Sequence, residues 1–448
     1  MRDHARQNSM RNAKTRLATE KCRTGTDSTL KTVVFFSLIC CLLPCYPVSA
    51  SEASRKETPH TAGGASMRRP VIGVMSQPHD DKEGEGSFIV ASYVKYIEAG
   101  GARAVPVFFD GDEAYLSRMF SSLNGVLFPG GGNSIAPSTG LYRSHSYFLD
   151  RSKQAYDEGD YFPVWGTCQG FEVIAQWGAN DSSLIPDSRF DGFNQRSDVE
   201  IESCVETETL RESRMFGGLL VGERDGEYGG GEQTETEEEA RRQRETSLTK
   251  AERSLRGSFR YETPLPTSRD CVPKAPYILR ALSDSRSVFY NHEHGVSLED
   301  WAGSPSLSEG FLSLGVSSDK RGKDFVAILE AKEAPIFGVQ FHPEKNLFEW
   351  DPKKNIPRTE ESTAVASYFA RFFVDEARKS THKFPSGKEE AEALIYNWVP
   401  QVNVNETTVW EGGYDYEEVY EFPPFNGSVG LSPSSPGTPR QKTRIFFQ

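Results

Sequence analysis

The chain is 448 residues long, carries a formal net charge of −13 and is 37% hydrophobic. That length accommodates one large α/β domain with extensions, and the low apolar content leaves part of the chain with too little to bury. The acidic excess argues against nucleic acid as a partner, because phosphate contact needs clustered Lys and Arg, yet an acidic small molecule can still be held in a locally basic pocket.

In chain order, the first 31 residues carry eight Lys/Arg against three acids. An apolar run over 33–43 follows and stops at Pro44, and Val48-Ser49-Ala50 fits a small-residue cleavage site. The run is shorter than the roughly 20 residues of a membrane span. A secretory signal peptide within 1–50 is therefore expected, with a lysosomal, vacuolar or extracellular destination; an uncleaved signal anchor is the alternative. Cleavage removes a segment of charge +5 from a chain of −13 and leaves −18. Of the seven cysteines, Cys168, Cys204 and Cys271 would remain. An odd count in an oxidising compartment is consistent with one disulfide and one reactive thiol. Pairing Cys204 with Cys271 spares Cys168, and the sequence leaves open whether the two meet. Asn180, Asn405 and Asn426 head glycosylation sequons that matter only in that pathway.

Residues 70–75 form a short apolar run, a strand candidate. Residues 88–98 read as a helix with Val90, Tyr93, Val94 and Ile97 on one face, ended by Gly100-Gly101. On it, Tyr93 and Lys95 are assigned to packing and solvation. Residues 104–109 and 125–128 are further buried-strand candidates, 147–158 a helix, and 162–165 another strand. This alternation predicts a mostly parallel sheet with helices on both faces. Sites in such sheets lie beyond the carboxyl ends of the strands.

Three such ends carry chemistry. After 125–128 comes Pro129-Gly130-Gly131-Gly132, whose glycines let backbone N–H groups approach a developing oxyanion. After 162–165 comes Gly166-Thr167-Cys168-Gln169-Gly170, the layout of a nucleophile elbow with Cys in place of Ser. A helix starting there aims its N-terminus at the sulfur and favours the thiolate; a buried structural cysteine is the alternative. Gly131 and Gln169 are the candidate oxyanion donors. After the apolar run 334–337 comes Gln340-Phe341-His342-Pro343-Glu344. His342 is a candidate general base for a thiol, and Glu344, two residues on in what reads as an extended segment, a candidate carboxylate to orient it. Glu172, on the first turn after the elbow, either receives a substrate amine or merely complements the helix dipole. Asn291-His292-Glu293-His294 is too poor in ligands for a metal site, and its histidines read as a surface-loop pair. The chemistry requires no metal or organic cofactor.

Residues 222–257 are charged and low in complexity, and read as a disordered surface insertion. The stretch 401–448 is acidic and Tyr-rich, then rich in Pro, Ser and Gly. Its part 414–420 either pairs back onto the domain or binds a partner.

Together the Pro-Gly-Gly turn, the Gly-Thr-Cys-x-Gly elbow and Gln-Phe-His-Pro-Glu resemble the class I glutamine amidotransferase superfamily. The closer resemblance is to the gamma-glutamyl hydrolase family. It is carried by Ile72-Gly73-Val74-Met75-Ser76-Gln77-Pro78, Ala91-Ser92-Tyr93-Val94-Lys95-Tyr96, Tyr161-Phe162-Pro163-Val164-Trp165-Gly166-Thr167-Cys168 and Phe341-His342-Pro343-Glu344-Lys345. It spans about 68–400, interrupted by 222–257. The resemblance implies a class I glutamine amidotransferase-like fold, Cys168 as nucleophile, His342 as general acid/base, Glu344 as the third member of the triad, and a substrate contact for His292. It also implies a small-molecule substrate, a poly-γ-glutamyl folate or γ-glutamyl peptide, and leaves a homodimer open. The rivals are a glutaminase-type amidotransferase domain or other γ-glutamyl amide hydrolase, and a secreted non-catalytic binding relative.

Overall fold

The computed structural model describes residues 69–79, 86–186, 189–201, 208–220, 276–284, 286–402 and 416–425. The expected signal region, the insertion 222–257, Cys204, Cys271, Asn405, Asn426 and the end of the tail lie outside the described residues.

The central sheet has seven strands. Five are parallel: β1 (Val71–Met75), β4 (Arg103–Val107), β5 (Val126–Phe128), β6 (Val164–Thr167) and β11 (Ile336–Val339). β9 (Phe311–Ser318) and β10 (Asp324–Ala331) add an antiparallel hairpin, giving the order β4-β1-β5-β6-β11-β10-β9. A second sheet has the order β12-β13-β3-β2, from β2 (Gln77–Pro78), β3 (Ser87–Val90), β12 (Gln401–Val402) and β13 (Glu418–Phe422). A ribbon joins β7 (Gln195–Ser197) to β8 (Val288–Tyr290).

Both faces of the central sheet are buried, and side chains alternate between two apolar layers, as strand geometry requires. Ile72, Val74, Leu127, Trp165, Phe337 and Val339 enter one layer with helix α1 (Ala91–Ala99) and the helix Glu360–Ala377. Val105, Val107, Val126, Phe128, Val164 and Ile336 enter the other with α2 (Glu113–Ser122), α3 (Gly140–Asp157) and α4 (Gln169–Ala179). This is the mostly parallel sheet with helices on both faces that the sequence predicts.

Two boundaries move. Residues 88–90 are strand, because β13 pairs with all three and β2 with Phe88 on the other side; the helix begins only at Ala91. Helix α3 begins at Gly140, earlier than its apolar periodicity suggests, because the Thr139 hydroxyl accepts the Tyr142 N–H at 3.1 Å and caps it. Of the two readings of the acidic Tyr-rich stretch, β13 pairs back onto the domain, with β3 over Val419–Val90 to Phe422–Ser87. Asn180 is exposed at the left-handed C-cap of α4.

Candidate active site

β5, β6 and β11 are sheet neighbours and run in parallel, so their carboxyl ends open at one edge. β5 runs out into Gly130-Gly131, β6 into Cys168 and β11 into His342. The register Val339 opposite Thr167 brings Cys168 and His342 together across the length of chain between them. The Cys168 N–H donates to Val339 O at 2.8 Å and locks that register.

Cys168 has φ 52° and ψ −108°, a region that side chains rarely adopt. The turn is tight enough to require glycine on both sides. A Cβ on Gly166 would lie 2.5 Å from the backbone of Gly170, and one on Gly170 would lie 2.3 Å from the Phe128 carbonyl oxygen. Strand, turn and helix are thus in direct backbone contact.

The His342 N–H donates to Phe289 O at 2.8 Å, and the ring Nδ1 lies 2.8 Å from Glu344 Oε1. Nδ1–H donating to that carboxylate leaves Nε2 as the basic nitrogen. Glu344 is fully buried, and among the described residues its second oxygen has no hydrogen-bond partner. It lies in the first turn of a short helix, Pro343–Phe348, and not in an extended segment, because Pro343 fits the first helical position. Gly130 shows how close the imidazole and the cysteine are. A Cβ there would lie 2.7 Å from His342 Cε1 and 3.2 Å from Cys168 Cβ.

Electrostatics set the resting protonation. Burial raises the Cys168 pKa well above its usual value, and Glu172 and Glu344 raise it further; the Gln169 N–H hydrogen-bonded to the sulfur and Lys345 only partly oppose them. Burial lowers the His342 pKa against the pull of Glu344. The pair therefore rests as neutral thiol and neutral imidazole. The thiolate expected from the helix N-terminus is outweighed by desolvation and two carboxylates.

The Gly130 N–H is already committed to the Tyr93 hydroxyl at 2.8 Å. Among the described residues the Gly131 N–H donates to no acceptor, while Gln169 Nε2 ties its helix to the glycine turn through Asn133 O at 2.5 Å. The cleft above opens to solvent and is lined by Cys168, His342, Glu172, His292, Lys345 and Tyr416 among others. Glu172 is buried, accepts from Gln340 Nε2 at 3.0 Å, and has its pKa raised by burial against His294. His292 is buried rather than on the surface. Its Nδ1 bonds His294 O at 2.5 Å, its Nε2 has no partner among the described residues, and burial lowers its pKa to about 4. Gly131, Cys168, Glu172, His292 and His342 thus line one cleft.

The sequence reading missed two residues here. Tyr93, assigned to packing, is buried with its hydroxyl 3.4 Å from His342 Nδ1. The apolar stripe of α1 explains the ring's burial but carries no sign of where the hydroxyl goes. Lys345 is buried at the cleft, and Glu349 foremost, with Tyr416 and Glu344, holds its ammonium charged against desolvation.

Sequence comparison places the chain in a known family. The Peptidase C26 family model, a cysteine peptidase family, matches residues 70–189, which hold the glycine turn and the Cys168 elbow. The human gamma-glutamyl hydrolase is 31% identical over 341 residues, 75% of this chain and 86% of the human one. The rat gamma-glutamyl hydrolase is 30% identical over 335 residues, 74% of this chain and 85% of its own. Gamma-glutamyl hydrolase B of Dictyostelium discoideum is 26% identical over 360 residues, 79% of this chain and 83% of its own. The chain belongs to the gamma-glutamyl hydrolase family.

Proposed function

We propose that this chain hydrolyses γ-glutamyl amide bonds, those of poly-γ-glutamyl folates above all, through a γ-glutamyl thioester on Cys168. The observation that carries the reading is the cysteine on a strained elbow facing an imidazole whose far nitrogen is 2.8 Å from a buried carboxylate. Because thiol and imidazole rest neutral, His342 Nε2 takes the thiol proton as the sulfur attacks the γ-carbonyl carbon. The new imidazolium is stabilised by Glu344. The carbonyl oxygen becomes an oxyanion that accepts from the N–H groups of Gly131 and Gln169. His342 then passes its proton to the departing amine, and the C–N bond breaks. Water, deprotonated by His342, cleaves the thioester and frees the γ-carboxylic acid and the thiol. Glu172 and His292 are available to hold the γ-glutamyl unit in the cleft.

The test is glutamate release from synthetic γ-glutamyl peptides, with and without a folate head group. Cys168→Ala is expected to abolish release while leaving fold and substrate binding nearly intact, since the covalent route is lost and one sulfur is removed from an elbow. Hydrolysis surviving in a clean Cys168→Ala preparation would put the nucleophile elsewhere. A wild-type chain that ignores the head group would leave the γ-glutamyl reading and remove the folate one.

A further inference from the structure

One oxyanion donor sits on a turn that cannot hold its own shape. Residues 130–132 are three glycines, each with more backbone freedom to lose than any other residue. Gly132 and Ser134 are exposed, so packing covers the turn on one side only. The Gly131 N–H stabilises charge only if it is in place before the charge develops, and a misplacement of about 1 Å costs about 10²-fold in rate. Its placement has to come from neighbours.

Three ties supply it. One is the Gly130 N–H on the Tyr93 hydroxyl at 2.8 Å. The other two meet at Asn133. Its Nδ2 donates to Gln77 Oε1 at 3.0 Å and to Pro78 O at 3.1 Å, which fastens the turn to β2. Its carbonyl accepts from Gln169 Nε2 at 2.5 Å, which fastens the turn to the first residue of α4, directly after Cys168. Pro78 O can only accept, so the amide nitrogen of Asn133 faces it and both its hydrogens are used. Gln77 and Gln169 are themselves buried. Their Oε1 atoms close on Gly131 so tightly that a Cβ there would lie 2.8 Å and 2.7 Å from them. Gly131 is thus held from one residue before and from two residues after. We propose that Asn133 is a positioning residue that keeps the Gly131 N–H at the oxyanion position, and so serves the tetrahedral state rather than substrate binding. The oxyanion role rests on the hydrolase reading above; the ties rest on the geometry of the turn.

The full chain is compared as wild type and Asn133→Ala by three measurements. The first is kcat and KM on γ-glutamyl-p-nitroanilide. The second is affinity for N-acetylglutamate γ-semialdehyde: the Cys168 sulfur adds reversibly to its carbonyl carbon, the thiol proton passes to His342, and an oxyanion is left facing Gly131. The third is calorimetric affinity for γ-glutamylglutamate in the Cys168→Ala background. Asn133→Ala is expected to lower kcat and weaken the aldehyde by a similar factor, about tenfold, less than the roughly 10²–10³ for losing an oxyanion donor outright. KM and the calorimetric affinity should change by less than about twofold. Gln77→Met removes the acceptor at the other end of the tie; it should repeat this pattern, and it serves alone if Asn133→Ala loses its thermal transition. Unchanged kcat and aldehyde affinity, or a loss that appears equally in the calorimetric affinity, overturns the positioning role and leaves the hydrolase reading standing. A wild-type chain that takes up the aldehyde but releases no p-nitroaniline removes the hydrolase reading, and the aldehyde comparison still decides the tie. A wild-type chain that does neither overturns both.

Discussion

Replacing Glu344 by Gln separates the charge of the carboxylate from its shape. The side chain is fully buried and its Oε1 is 2.8 Å from His342 Nδ1. The amide oxygen of Gln can accept the same N–H, so the ring keeps its orientation. What is lost is the negative charge beside the imidazolium that forms during attack. A hydrogen bond to a charged partner contributes about 1.5–3 kcal/mol and a neutral one about 0.5–1.5. The difference, roughly 1–1.5 kcal/mol, corresponds at about 1.4 kcal/mol per decade to an approximately tenfold fall in kcat. His342→Asn, which removes the base itself, should cost about 10²–10⁴-fold. The pH profile carries an independent sign. Burial lowers the His342 pKa and Glu344 resists that shift. Without the carboxylate the pKa falls further, so the base stays neutral further into acid and the acid limb of kcat/KM moves to lower pH. The assay is kcat and kcat/KM against pH on a chromogenic γ-glutamyl amide for wild type, Glu344→Gln and His342→Asn. A Glu344→Gln loss as large as that of His342→Asn, or an acid limb displaced upward, would refute the reasoning and give Glu344 a direct chemical or folding role.

Tyr93→Phe leaves the Gly130 N–H without its buried acceptor, a cost of about 1–3 kcal/mol to be read by urea denaturation, with a several-fold fall in turnover as the glycine turn loosens; no change in either would return Tyr93 to packing alone. Gly170→Ala drives a methyl group to 2.3 Å from the Phe128 carbonyl, so a loss of about 1–3 kcal/mol or more and of activity is expected; a wild-type Tm would show that elbow and strand can separate at no cost. Deleting 222–257 and joining the ends with a short Gly/Ser linker should keep activity on small substrates within a few-fold, since the segment has little apolar surface to bury; an insoluble or inactive product would make the insertion structural.

The strands at the heart of the sheet were legible in the sequence because they are buried on both faces and bounded by glycine and proline, a local signal. Cys168 and His342 were legible for the same reason: each follows such a strand, and their surrounding residues are chemically unusual. What local pattern could not carry was anything decided by a partner far along the chain. Residues 88–90 read as helix until β13, more than 300 residues later, supplied their hydrogen bonds. The Tyr93 hydroxyl found His342 and Gly130 only after helix α1 packed on the sheet. The protonation of the nucleophile also waited on the fold. A helix N-terminus after a cysteine argues for thiolate, but desolvation and the carboxylates of Glu172 and Glu344 reverse the balance once the side chains are buried together. Local sequence thus determined which residues turn the chain and which carry reactive groups; the tertiary structure alone decided distances, burial and charge neighbours, because those depend on segments that meet only when the sheet closes.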